Sequence, residues 1–248
     1  MATVLQFETQ RESAATGRDI LQVLNRLQQV LPLKRRRQAL PPTLKMVHRS
    51  ILKSLAETGK PPTQAEIAAM LGSRQSALHA LTVLASNDLV ILTSRVTRDE
   101  KTKQLRVDER VEVVGAYPIT TESTPHRVIL CGHTVNAMCA VDALVISPMF
   151  GHQTWIESRC DATGAPIRIF QHGVQILEAS PSPEIRVGIR GQATEGCAAH
   201  TLCAEMVYLK DEQVAEAWRK AHGPSVDLLT LPEAIELGIA FFLPLLEE

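Results

Sequence analysis

Apolar positions recur along the chain at two periods, and the change from one to the other divides it. Between residues 20 and 86 the spacing is helical. ILQVLNRLQQVL (20–31) sets apolar side chains at i, i+3, i+4 and i+7, and predicts a helix. KRRR (34–37) and LPP (40–42) then read as a linker. TLKMVHRSILKSLAETG predicts a helix closed by Gly59. PPTQAEIAAMLG predicts one that starts on a Thr63 cap and stops at Gly72, and SRQSALHALTVLASND a third, capped by Ser73. Two β-rich segments, LVILTSRV and RVEVVGAYPI, flank the charged TRDEKTKQLRVDE. Three helices followed by a hairpin form the winged-helix pattern.

The texture changes after residue 130. A short helix is predicted over TVNAMCAVDALVI (134–146), then strands at QTWIES, APIRIFQ, VQILEAS, IRVGIR and TLCAEMVYL. Two helices, DEQVAEAWRKAHG (211–223) and LPEAIELGIAFFLPLLE (231–247), close the chain. Strands bracketed by helices predict an α+β class, here an N-terminal winged-helix-like helical module followed by a mixed-strand catalytic domain with flanking helices. The expected divisions are an N-terminal extension with one helix (1–42), the winged-helix-like module (43–125) and the catalytic domain (126–248).

Composition narrows the function classes. A 45% hydrophobic and 21% charged chain of 248 residues is ordinary for a globular protein. Its net charge of −1 provides no overall field for nucleic acid or an anionic membrane, so neither is an expected partner. The polar N-terminus has no signal-peptide pattern, and VDALVI and GIAFFLPLL are too short to span a bilayer, which points to the cytoplasm. Five cysteines, an odd number at irregular spacing, do not make a disulfide framework in that compartment. They read as free thiols, metal ligands or catalytic groups.

The segment Cys139-Ala-Val-Asp142 carries the sharpest chemistry. Positions i and i+3 share a helix face, so the thiol and carboxyl are neighbours. Their surroundings (Ala140, Val141, Ala143, Leu144, Val145, Ile146) are apolar, and burial disfavours a carboxylate, so Asp142 can hold a proton and deliver it. The plain alternative is a buried cysteine acting as a small hydrophobe and an aspartate facing water. Strand alternation groups Cys203 with Thr201, Glu205 and Val207 on one face, opposite Leu202, Ala204, Met206 and Tyr208. Cys160, before the Gly164-containing turn, and Cys131, between a strand and Gly132-His133, read as structural. Cys197-x2-His200-x2-Cys203 and Cys131-x-His133 offer zinc ligand types without the usual paired spacing. No Gly-rich phosphate loop, G-x-S-x-G elbow or H-E-x-x-H motif occurs.

Met138-Cys139-Ala140-Val141-Asp142-Ala143-Leu144 resembles the Cys-Ala-Leu-Asp segment of the organomercurial (alkylmercury) lyases. Cys160-Asp161-Ala162-Thr163-Gly164-Ala165-Pro166 resembles that family's Cys-Ala-Ala-Thr-Gly-Ala-Pro stretch, and Cys203 and Trp218 fall where it has its second active-site cysteine and a following Trp. The likeness covers roughly residues 125–245. It implies that Cys139 and Cys203 are mercury-binding thiols, that Asp142 beside them handles the proton, and that Cys160 is structural. It further implies an organomercurial substrate, small external thiols in place of a resident cofactor, mercury(II) as bound product, and mercuric reductase as a partner. Two features depart from the family. Ala204 follows Cys203 where a second cysteine is common, and Cys197 has no counterpart. Two other readings compete: a metal- or mercurial-responsive regulator built on the winged helix, and a zinc-stabilised structural protein. The regulator has little to hold DNA, since Arg74 is the one arginine or lysine of the third helix segment.

Overall fold

The computed structural model describes residues 20–100, 102–190 and 205–247. Helices α1 (Ile20–Val30), α2 (Leu33–Gln38), α3 (Pro42–Thr58), α4 (Gln64–Leu71) and α5 (Arg74–Ser86) come first. The expected caps form. Thr63 and Glu66 make a reciprocal capping box, Ser73 accepts the Ser76 amide, and Gly59 ends α3 in the left-handed region at φ +72°. The segment expected as a linker is helical. In α2, Arg37 is buried and donates from Nε to the Leu245 carbonyl (3.1 Å) and from Nη2 to that of Glu247 (2.9 Å). The Leu245 carbonyl ends a 3-10 turn and that of Glu247 lies just beyond it, where carbonyls lack a partner within the turn, so a charged donor satisfies them.

Strands β1 (Ile91–Leu92), β2 (Thr97–Arg98), β3 (Leu105–Arg106), β4 (Val113–Ala116) and β5 (Ile119–Thr120) follow, shorter than the sequence pattern suggests. β2 and β3 pair as a small exposed hairpin between β1 and β4, which themselves pair antiparallel. β6 (His126–Leu130) and β7 (His133–Ala137) turn on Cys131 and Gly132, at φ +50° and +80°. Two positive φ values in a two-residue connection match the twist of the paired strands. The helix expected over 134–146 is therefore a strand followed by a helix. β7 takes 133–137, and α6 (Ala140–Phe150) starts only after it. Apolar residues spaced along VNAM satisfied both periods, and cross-strand pairing with β6 decides between them.

β8 (Gln153–Arg159), β9 (Pro166–His172) and β10 (Gln175–Ser180) complete an antiparallel sheet of order β1-β4-β5-β7-β6-β8-β9-β10. A second sheet has order β12-β11-β13, from β11 (Arg186–Arg190), β12 (Met206–Leu209) and β13 (Val226–Thr230). β13 is not among the expected strands: VDLLT lies between the two predicted C-terminal helices and runs directly into the Thr230–Glu233 capping box of α8 (Leu231–Phe242). α7 (Glu212–His222) lies where expected, while α8 stops earlier, where Leu243–Leu245 tighten into a 3-10 turn holding Pro244. The class is α+β. No described helix is long and apolar enough to cross a membrane.

α6 lies between the large sheet on one side and α8 on the other. It is apolar all round and buried along most of its length, as a central helix must be. Gly238 of α8 sets the approach, since a Cβ there would sit 3.1 Å from that of Val145. Pro148 within α6 has no amide for the Leu144 carbonyl, and Gln171 Nε2 of β9 donates to that carbonyl instead, at 2.8 Å. α1 packs on α8 and shares a cavity with the start of α6.

Two buried histidines make the fold acid-sensitive. Burial, with Arg37 nearby, lowers His48 to about 3, and burial lowers His126 to about 4. Above the ordinary value of 6.5 both are neutral whether the chain is folded or not. Below it the unfolded chain takes up protons that the folded chain refuses, so stability falls with pH until the folded values are reached. Urea denaturation should show the unfolding free energy dropping between about pH 6.5 and 4, by at most about 1.4 kcal/mol per pH unit for each histidine. His48→Gln, less stable at neutral pH, should have a shallower slope; an unchanged slope would discard the explanation.

Candidate active site

Cys139 has extended backbone and caps α6, with its Sγ accepting the Asp142 amide at 3.3 Å. Sulfur is an unusual capping atom, and here the cap places the thiol and the carboxyl of Asp142 on one turn. Both residues are buried, Asp142 with no solvent exposure. Cys139 stands at the helix start, where the sequence suggested a place within it, and both residues border one cavity. On its other side Cys139 Sγ lies 3.6 Å from Met206 Sδ, at the start of β12. The thiol thus accepts from an amide and donates to a thioether.

Behind this pair stands Tyr208, fully buried, whose hydroxyl donates to the Ala140 carbonyl at 3.0 Å. Burial, and then the charges that Cys139 and Asp142 can carry, push this phenol well above its usual range. It stays neutral and acts as a donor. In front, Cys139, Asp142 and Met206 face Leu27 and Leu31 from α1 and its end, and Leu237, Phe241 and Phe242 from α8. The narrow cavity between them has a volume of about 10 Å³, room for roughly one water.

Cys203, the other expected thiol, lies outside the described residues, as do Cys197, His200 and Thr201. β12 begins at Met206 with Glu205 outside it, and the part of the expected strand over 201–204 lies outside the described residues. The two described residues that border residues 191–204 are tied together: Arg190 Nε donates to Glu205 Oε2 at 2.6 Å, and Ile189 pairs with Met206. Arg190 also lies over the Trp218 ring, 5.4 Å from its centroid. Trp218 Nε1 donates to Asp161 Oδ2 at 2.9 Å, holding the residue after Cys160.

Cys160 is buried at the junction of the two sheets, bridging to Tyr208, away from the cavity lining. Its amide donates to Ala165, and its carbonyl accepts from Gly164. Cys131 is exposed on its hairpin. Among the described residues no group of three His, Cys, Asp or Glu side chains could hold a metal ion. Sequence reading missed Met206, Tyr208 and the two leucines. The apolar stripe of α1 was visible, but not what it covers.

A family model described as alkylmercury lyase matches residues 119–243. A protein of Bacillus cereus named alkylmercury lyase is 31% identical over 134 residues, covering 54% of this chain and 60% of that protein. One from Staphylococcus epidermidis is 27% identical over 197 residues, covering 79% and 81%. The matched part thus spans about 60% of the length of the first of these relatives. The crystal structure of the mercury-bound form of MerB2 superposes with a TM-score of 0.66 at 21% identity, over 87% of this chain and 98% of that one. At that identity the likeness shows the fold.

Burial separates the described thiols. In the folded protein Cys131 should react fast with a bulky aromatic disulfide, and Cys139 and Cys160 slowly. Cys131→Ser should remove one equivalent from the fast phase, whereas Cys139→Ser should leave that phase intact; a fast equivalent lost with Cys139 would contradict its enclosure.

Proposed function

The chain belongs to the alkylmercury lyase family, and we propose that it breaks the carbon–mercury bond of R–Hg⁺ by protonation, with Cys139, Asp142 and Cys203 as the reacting groups. The observation that carries this reading is a buried thiol and a buried carboxyl on one turn of α6, facing an apolar cavity. The products are R–H and mercury(II).

Each step uses the chemistry of these groups. Mercury(II) is soft and prefers thiolates. The substrate arrives on a small external thiol, which Cys139 displaces, and Asp142 accepts the proton that the Cys139 thiol gives up. The helix N-terminus favours negative charge on the capping sulfur while it lasts. The displaced carrier thiolate takes the Cys203 proton and leaves as a thiol, Cys203 adds a second thiolate to mercury, and the two sulfurs push electron density onto carbon. Asp142 then returns a proton to that carbon as the bond to mercury breaks, and R–H leaves. Mercury(II) remains on the thiols until external thiols or a mercuric reductase remove it. No resident cofactor takes part.

Covalent reach supports including Cys203. Three residues span at most about 11 Å, so Cys203 cannot be farther than that from Met206, whose sulfur touches Cys139. An R–Hg–S(Cys139) adduct carries no net charge, which suits a cavity walled by leucines and phenylalanines. The cavity is small, and α1 forms one wall, so admitting R calls for Leu27 and Leu31 to give way.

We read the chain as an extension (1–42), a winged-helix-like module (43–125) and a catalytic domain (126–248), working in the cytoplasm. Helices α3 to α5, followed by β1, the β2–β3 hairpin and β4, support the module's description. The competing reading, a regulator that binds DNA through this module, is weakened by Arg74, which is occupied with the Glu109 carbonyl at 3.0 Å.

Purified protein with excess small thiol should convert phenylmercury to benzene and mercury(II), followed by gas chromatography. Cys139→Ser and Cys203→Ser should each cut turnover by about 1,000-fold or more, and Asp142→Asn by about 100- to 10,000-fold. Cys160→Ser should instead cost about 1–3 kcal/mol of stability and keep turnover. Full activity in Cys203→Ser would end the two-thiol mechanism. A salt-dependent DNA gel shift with no benzene released would favour the regulator.

A further inference from the structure

We propose that the thioether of Met206 is an additional soft ligand for the mercury held at Cys139. This inference rests on the lyase reading of the site. Met206 Sδ is 3.6 Å from Cys139 Sγ, and both side chains are buried and line the same cavity. The two come from different elements, Cys139 from the cap of α6 and Met206 from the first residue of β12, whose register against Ile189 of β11 fixes its position. The contact is a hydrogen bond in which the Cys139 S–H points at the thioether lone pair. Mercury that replaces this proton on Cys139 takes the place of the group that Met206 already faces.

The chemistry suits the position. A thioether is soft and polarizable, and it has no proton to lose. When Cys139 takes up mercury, the Hg–S(Cys139) bond forms, the bond to the carrier thiol breaks, and the Cys139 proton passes to Asp142. Met206 contributes a lone pair and breaks no bond of its own. Its neutrality leaves the charge in the cavity unchanged, which a charged third ligand in this apolar setting would not. A leucine in its place would fill the same space without binding metal, so packing and ligation can be separated.

The test uses the full chain grown with selenomethionine and loaded with mercury(II) chloride. X-ray absorption at the mercury edge should show selenium as well as sulfur bound to mercury, and Met206→Leu should lose the selenium and keep the sulfur. In unlabelled protein, transfer of mercury(II) to excess small thiol should be about tenfold faster in Met206→Leu. Mercury bound through sulfur alone in an active wild-type protein would overturn the Met206 ligand and spare the lyase reading. Selenium scattering that persists in Met206→Leu would also overturn it. Failure of the wild type to bind mercury and to release hydrocarbon would overturn both.

Discussion

One capping interaction organises the site: the Cys139 sulfur receives the Asp142 amide at the first turn of a buried helix. Serine, threonine, aspartate and asparagine are the usual caps, because oxygen is the better acceptor. α6 can accept a weaker cap, since its stability comes from burial on all sides. What the sulfur cap achieves is placement. It holds a thiol and a carboxyl in a water-poor space where neither charge is welcome alone. Desolvation disfavours a thiolate there, and the helix N-terminus favours it. A proton can leave the sulfur most easily if an acceptor is adjacent, and Asp142 is on the same turn. On the lyase reading, these are the two groups that exchange the proton.

The rest of the fold keeps that turn from moving. The large sheet supports one face of α6, and Gly238 lets α8 close on the other. Gln171 repairs the carbonyl that Pro148 strands. Ser147 Oγ, one residue before Pro148, donates to the His152 carbonyl at 2.6 Å and accepts the Gly173 amide at 2.8 Å, fastening the far end of the helix to the β9–β10 turn. Tyr208 fastens the near end through Ala140. The Cys139–Asp142 turn and the helix it opens are held at both ends by hydrogen bonds and on both sides by packing, the preorganisation that the proposed proton delivery would use.

Much of this was legible in the sequence because its signals are local. The Thr63–Glu66 and Ser73 caps, the glycine stops and the i, i+3 pairing of Cys139 with Asp142 each depend on residues a few positions apart. What escaped depends on partners far along the chain. The KRRR run looks solvated until Arg37 meets carbonyls 208 and 210 residues away. β7 reads as helix until β6 pairs with it. Met206 sits 67 residues from Cys139, and strand alternation grouped it opposite the Cys203 face with no indication of what it would touch. Within the described residues β12 starts at Met206, and the Cys203 end of the expected strand lies outside them.

The cavity wall is assembled from two sources of different kinds. Cys139, Val141, Asp142, Met206 and the α8 side chains all lie within the stretch that matches the alkylmercury lyase family, 119–243. Leu27 and Leu31 do not. They lie before it, in and just after α1, and α1 is moored to the second sheet by an ion pair between Arg26 and the buried Asp227 of β13. The chemistry of bond cleavage needs only sulfur and a proton, whatever R is. The shape that R must fit is different: on the lyase reading it is set partly by α8 and partly by α1. On that reading α8 shapes the cavity from within the same stretch as the reacting groups, while α1 adds a wall from outside it, and changes in α1 alter which organic groups are admitted while leaving the Cys139–Asp142 turn untouched.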